Sequence, residues 1–398
     1  VQSAQEVPTA VTSTDSCRRL LRPALGLALC ALLLAAPEAR ASRTTPAQPS
    51  VLEPDDAQLT PKQRQILTQA QGGDPSAQNE LGRLLASGEI GAKAPAEAVR
   101  WWTLAADKGL ADAQFNLALA YDQGRGVAQN ATIAAEWYEK AARQGDPKAM
   151  YNLAGLLSEG NGVPLNLGQA AKYYEDAAQK GHVKAMYNLA LAYSRGKGLD
   201  RDDGKAALWM HKAAVAGHPR AQYLLAQMYA QGIGVDKDTA KAAKWLERAA
   251  EAGHARAQYS YALHCQLGQG VPENDAAAVR WYREAAKRNH TGAMCNLALI
   301  LLEGKDAPKD AAEAGRLLNR AAELGDPKAM YNLGLLHMEG QDLAKDQRQA
   351  YYWLSLAARS GLAEAKAPRD QAAKALAPAD ITAIDGRVAA FQAKKPGE

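Results

Sequence analysis

Glycine recurs along this chain at a fixed interval of 36 residues: Gly73, Gly109, Gly145, Gly181, Gly217 and Gly253, then Asn289, then Gly325 and Gly361. No insertion or deletion breaks the interval. Four residues after each marker stands an alanine, from Ala77 and Ala113 to Ala329 and Ala365. Eight after it stands leucine, from Leu81 to Leu333, replaced once by Tyr261. Fifteen after it there is always a glycine, from Gly88 to Gly340. A self-similar period of this length restricts a chain to stacked units, because one unit alone cannot bury its apolar face.

Each unit reads as two helices. In "PKAMYNLAGLLSEG", Asp146 is placed to cap the helix start and Pro147 to occupy the first turn, where its missing N–H is no loss. Gly160 is placed to close it in the left-handed conformation. A short "GNGV" loop leads into "LGQAAKYYEDAAQKG", which ends at Gly181. The second helix carries a large residue at one register: Trp101, Trp137, Tyr173, Trp209, Trp245, Trp281, Leu317 and Trp353. Alanine pairs such as Ala141-Ala142 and Ala249-Ala250 follow four residues later. Large against small at helical spacing is expected to interdigitate helices about 8–10 Å apart.

The stretches "KAAKWLERAAEAGHARAQYSYA" and "AAEWYEKAARQGDPKAMYNLA" resemble the Sel-1-like repeat, a cousin of the tetratricopeptide repeat. The resemblance covers residues 73–360 and implies an all-α fold. The form expected is a right-handed α/α superhelical solenoid of eight 36-residue helix-turn-helix repeats with helical caps. Members of the bacterial, exported branch serve as non-enzymatic adaptors, and their first helices line a concave groove. Locally the pattern departs at "SGEIGAKAPAEA" and "EGKDAPKDAAEA", which lack the usual Gly-x-Gly-Val loop. Asn289 in place of glycine predicts a strained turn.

The two ends read differently. Arg18, Arg19 and Arg22 precede an apolar run of 13 residues, Ala24 to Ala36, and then Ala39-Arg40-Ala41. That is the charged, apolar, small-residue order of a secretory signal peptide, so residues 1–41 are expected to direct export to a bacterial periplasm or beyond. Residues 1–17 precede the basic run, so the leader itself is expected to start further in than Val1. The run is shorter than the roughly 20 residues of a membrane span. Residues 42–60, rich in Pro, Thr and Gln, read as a flexible linker. Residues 61–72 read as a capping helix in the register of a degenerate second helix. Residues 361–398 read as a half repeat and a cap, with an Asp-containing helix start and with Leu376, Ile381, Ile384, Val388 and Phe391 at helical spacing.

Little in the sequence suggests catalysis. A net charge of +4 over 398 residues favours neither nucleic acid nor a membrane surface as partner. Beyond the leader, Cys265 and Cys295 fall out of phase on adjacent first helices, too far apart to bridge, and are expected to be free and partly buried. Loops such as "GRGV" lack the strand setting of a phosphate cradle and read as helix ends. No Ser-His-Asp, paired-carboxylate or HExxH pattern stands out, and no cofactor is implied. The sequons at Asn130 and Asn289 carry no argument. His182, His218, His254 and His290 each follow the marker by one residue in consecutive units. A metal-binding or pH-responsive strip is one reading. Helix capping, the role that Asp74, Asp146 and Asp326 suit in the same column, is the other and the better one. A tetrahedral metal site needs convergent ligands, and these stand in a row.

Helical geometry sorts the first helices into two faces. Positions 4, 8, 9 and 12 after the marker form the packed stripe, and positions 3, 6, 7, 10 and 14 face away from it. Position 3 supplies Lys148, Lys184, Arg220, Arg256 and Lys328. Position 6 supplies Phe115, Tyr151, Tyr187, Tyr223, Tyr259 and Tyr331, and position 7 supplies Asn116, Asn152, Asn188, Asn296 and Asn332. In the related tetratricopeptide domains an asparagine at this spot belongs to a carboxylate clamp, which the resemblance carries to Asn152 and Asn188 with Lys148 and Lys184 beside them. Leu224 and Ser260 interrupt that column. These columns are expected to face solvent and to hold a peptide or protein segment. A glycan, peptidoglycan included, is the alternative partner, since tyrosines beside amides also suit sugar rings. Tyrosine and asparagine serving only to pack one repeat on the next is a third reading of the same columns.

Overall fold

A computed structural model describes residues 59–304, 307–340 and 342–394, so the expected leader and most of the linker lie outside the described residues. Among those described there are nineteen α-helices, one short 3-10 turn and no strand. The first is α1 (Pro61–Gln71). Units one to four follow as α2 (Pro75–Ser87) and α3 (Pro95–Asp107), α4 (Ala111–Gln123) and α5 (Ala131–Arg143), α6 (Pro147–Glu159) and α7 (Leu167–Gln179), α8 (Val183–Arg195) and α9 (Asp203–Val215). Units five to eight are α10 (Pro219–Gln231) and α11 (Thr239–Glu251), α12 (Ala255–Leu267) and α13 (Asp275–Lys287), α14 (Thr291–Glu303) and α15 (Ala311–Glu323), α16 (Pro327–Glu339) and α17 (Gln347–Arg359). The last two are α18 (Lys366–Ala373) and α19 (Pro378–Ala390). From α1 to α18 each helix packs on the next, and α19 packs back on α17, which makes the stack a solenoid.

The local code operates as read. Thr60 and Gln63 form a reciprocal capping box at the start of α1. Asp146 accepts the N–H groups of Lys148 and Ala149 at the start of α6, and Gly160 ends that helix at φ 69°. The second glycine of the loop has a separate reason. At Gly234 a Cβ would overlap the Asp203 carbonyl at the start of α9, one unit earlier. Gly126, Gly162, Gly198 and Gly270 sit in the same way against Pro95, Ala131, Leu167 and Thr239, each the first residue of the preceding second helix. The loops of units two to six are therefore seated backbone on backbone against their neighbours. Asn289 takes φ 62°, the only positive φ at a non-glycine among the described residues, as the strained turn required.

The core is made largely of alanines at the crossings, where Ala134, Ala141, Ala149, Ala213 and Ala249 are fully buried. The expected column of large residues is not the deepest one. Tyr138, Tyr282, Leu318 and Leu354, one residue later, are completely enclosed. Trp137 is only half-buried, with the Lys140 ammonium 3.5 Å from its ring centroid, and Lys212 covers Trp209 at 4.1 Å. The 100° turn per residue points the later column into the stack and leaves the tryptophans on its shoulder.

Two further expectations need correction. No aspartate caps α19: its N-cap is Ala377 without a side-chain bond, and Asp380 pairs with Arg348 at 3.0 Å instead. Ile384 and Val388 do bury against the last unit. Cys265 and Cys295 are free but fully rather than partly buried. Burial raises both thiols, Cys295 to about 12 with Asp326 nearby. Among the described residues no helix is long and apolar enough to cross a membrane.

Candidate functional site

The starts of the first helices assemble the face. His182, His218, His254 and His290 are the N-caps of α8, α10, α12 and α14. Each Nδ1 accepts the N–H of the alanine three residues on, at 3.2 Å. An accepting Nδ1 fixes the neutral imidazole with its proton on Nε2. The carboxylates of Asp74, Asp146 and Asp326 do the same work in α2, α6 and α16. Capping therefore explains the histidine column. Among the described residues no group of three or more His, Cys, Asp or Glu side chains could hold a metal.

Every one of these imidazoles also stacks on the tyrosine of the preceding unit. Ring centroids lie 4.6 Å apart for Tyr151–His182 and Tyr187–His218, 4.9 Å for Tyr223–His254 and 4.5 Å for Tyr259–His290. Burial lowers the basicity of all four, and a nearby cation is the second cause: Lys184 for His182 and Arg220 for His218, at the same helix start, but Arg220 for His254 and Arg256 for His290, one unit earlier.

Lys148, Lys184, Arg220 and Arg256 stand exposed between the rings. No carboxylate forms an ion pair with any of them among the described residues. An open pocket of about 550 Å³ gathers Tyr151, Lys184, Tyr187, Asn188, Arg220 and Ala252. A second, of about 470 Å³, gathers Tyr187, Arg220, Tyr223 and Arg256. Lys148, Asn152 and Tyr259 line neither. Lys148 instead lies 5.9 Å from the Phe115 ring centroid.

The asparagines do not face solvent as expected. Asn152 is half-buried and donates to the Tyr138 hydroxyl at 2.9 Å. Asn188 is half-buried and faces the Tyr151 hydroxyl. Asn296 repeats the arrangement with Tyr282 at 3.1 Å, and Asn116 bonds Asn79 at 2.9 Å. These amides tie helix to helix, because a buried tyrosine hydroxyl requires a partner.

The family model described as the Sel1 repeat matches residues 75–110, 111–146, 147–182, 183–218, 219–254, 255–290, 291–326 and 327–362. The chain belongs to the Sel1 repeat family. A Sel1 repeat protein from Oxalobacter formigenes is similar in structure, with TM-score 0.60 and 30% identity over 80% of this chain and 92% of that one. A protective antigen present in uropathogenic Escherichia coli strains, displaying an SLR fold, is 26% identical over 83% of this chain and 95% of its own, at TM-score 0.32. An immunity protein from Pseudomonas aeruginosa is 22% identical over 64% and 83%, at TM-score 0.33. Among curated proteins nothing matches.

One feature of this Sel1 repeat protein escaped the helical sorting. Position five of the first helices holds only glutamine or methionine: Gln78, Gln114, Gln222 and Gln258, or Met150, Met186, Met294 and Met330. The glutamines are buried, each donating through Nε2 to a backbone carbonyl of the preceding second helix at 3.1–3.2 Å. The alternation of just two residue types, similar in length and different in polarity, was the available signal.

Proposed function

We propose that this Sel1 repeat protein is a scaffold that holds an extended, carboxylate-bearing protein segment along the first-helix face. The observation that carries the reading is the row Lys148, Lys184, Arg220 and Arg256: four exposed cations, one per unit, without acidic partners among the described residues. Cations left unpaired beside open pockets attract carboxylates, and steer them before contact. The tyrosines favour a peptide over a glycan, since Tyr151, Tyr187, Tyr223 and Tyr259 each have one ring face covered by a histidine. No catalytic role is proposed. We further infer that residues 1–41 direct export to the bacterial envelope, that 42–60 form a tether, and that 61–72 and 361–398 cap the stack.

The test uses a fluorescent deca-glutamate peptide and the full chain. Replacing all four cations with alanine should abolish binding while leaving the melting temperature unchanged, and 0.5 M salt should weaken binding to the intact protein. Unaltered binding by the variant, or capture of muramidase-released glycan by both forms and of peptide by neither, would replace the reading.

A further inference from the structure

Three departures of unit one from the repeat bear on a single cavity. Trp102 stands where later units carry Tyr138, Tyr174, Met210 or Leu246. Gly82 replaces the alanine found at its place in units two to seven and gives the indole room, since a Cβ there would lie 2.6 Å from Trp102 Nε1. The loop "GEIGAKAP", which departs from the Gly-x-Gly-Val pattern, supplies Lys93. Trp102 and Lys93, with Arg125 of the next loop and with Asn116 and Gln123 of α4, line a cavity of about 580 Å³ between units one and two. Among the described residues no carboxylate lies on its wall.

The indole N–H donates to the Asn79 carbonyl at 3.2 Å, so the half-buried Trp102 has only its carbon surface left to offer. Among the described residues neither an aromatic ring nor a cation covers it, whereas Trp137, half-buried like it, lies under Lys140. The Asn116 amide donates to Asn79 Oδ1 at 2.9 Å, which leaves its own Oδ1 as an acceptor. Lys93, Gln123 and Arg125 are exposed, and their side chains form no hydrogen bond or ion pair among the described residues. At the corresponding place between units three and four the cavity is only about 180 Å³, and Tyr174 there meets the Tyr151 ring at 5.8 Å.

We propose that the cavity between units one and two binds a sugar ring that bears a carboxylate, at a site that does not depend on the segment-binding row. Trp102 takes the C–H face of the sugar, whose weakly positive hydrogens match the negative face of the indole. Asn116 Oδ1 accepts from one hydroxyl, and the Gln123 amide both donates to and accepts from others. Lys93 and Arg125 pair with the carboxylate. A neutral sugar would leave both cations idle, and an acidic peptide side chain would leave the indole and the amides idle. An acidic sugar uses all five groups.

The probes are linear tri-galacturonate, its neutral counterpart galactotriose and the deca-glutamate peptide, each fluorescently labelled and titrated into the full chain. Two variants adopt residues that other units already carry. Trp102→Leu copies Leu354, which lies against Gly334 as Trp102 lies against Gly82. Lys93→Gln combined with Arg125→Asn copies Gln129 and Asn161. The intact protein should bind tri-galacturonate about tenfold or more tightly than galactotriose, the margin expected of charge-assisted hydrogen bonds. Each variant should lose about tenfold or more in tri-galacturonate affinity, with deca-glutamate binding unchanged. Equal affinity for the charged and the neutral sugar overturns the proposal, and so does tri-galacturonate binding that both variants retain in full. Deca-glutamate binding that falls in both variants makes the cavity a peptide site instead. The loop variant changes only exposed side chains, so it decides the outcome should Trp102→Leu lower the melting temperature. None of these residues belongs to the row from Lys148 to Arg256, so failure here leaves segment binding standing.

Discussion

The Tyr187 ring lies against the His218 imidazole at 4.6 Å and 20°, while Nδ1 of the same imidazole accepts the Ala221 N–H at 3.2 Å. The ring can do the second only when neutral. Burial is the main cause of its lowered basicity, with Arg220 and Lys184 adding to it. His182 faces Lys184, Asp146 and Lys148, His254 faces Arg220 and Arg256, and His290 faces Arg256 and Asp326. A histidine whose pKa is lower folded than unfolded gives stability that is whole above the unfolded value, about 6.5. That stability is lost as pH falls from there towards the folded value, because the unfolded chain then binds more protons. Thermal melts followed by circular dichroism should show the melting temperature falling from pH 7 to pH 5. Combined His182→Asp, His218→Asp, His254→Asp and His290→Asp should flatten that dependence, since aspartate caps the same position in α6 and α16.

Lys148 and Asn152 lie one turn apart and should separate cleanly. Asn152→Ala removes the partner of the buried Tyr138 hydroxyl and should cost about 1–3 kcal/mol in urea unfolding. Lys148→Ala touches only an exposed side chain and should stay within about 0.5 kcal/mol. Equal effects would mean that the amide is not structural.

Two glycines of similar backbone conformation offer a second contrast. Gly217 (φ 86°) has open space where a Cβ would go, whereas at Gly234 (φ 67°) a Cβ would overlap the start of α9. Gly217→Ala should cost about 1–2 kcal/mol from the left-handed conformation alone. Gly234→Ala should exceed about 4 kcal/mol, or melt units four and five separately from the rest.

Asn289→Gly should stabilise the chain by about 1 kcal/mol. The change relieves the positive φ and removes a buried Oδ1 that has no partner. A loss of stability would show that the asparagine is held by something other than turn geometry.

What was legible in the sequence is what one residue type carries at a fixed interval. The period, the helix ends at Asp146 and Gly160, the turn at Asn289 and the cation row all belong to that class. Asn152 was misread because a helical wheel sorts side chains about one axis. It cannot show that Tyr138, on the neighbouring helix, presents its hydroxyl to that amide. Tyr151 and His182 belong to different units, so their stacking needs the offset between units, which the repeat period leaves free. Trp137 was given the core place of Tyr138 on size alone.

The seated loops bear on mechanics as well as on stability. Where main chain rests on main chain, the angle between neighbouring units has a hard stop that no side-chain exchange can move. Units two to six share that stop, whereas units one, seven and eight have no second glycine at the corresponding place. Because each seated loop rests on the unit before it, the stop joins units one to six, and the cation row from Lys148 to Arg256 lies wholly within them. A segment that docks there meets a ruler of fixed pitch.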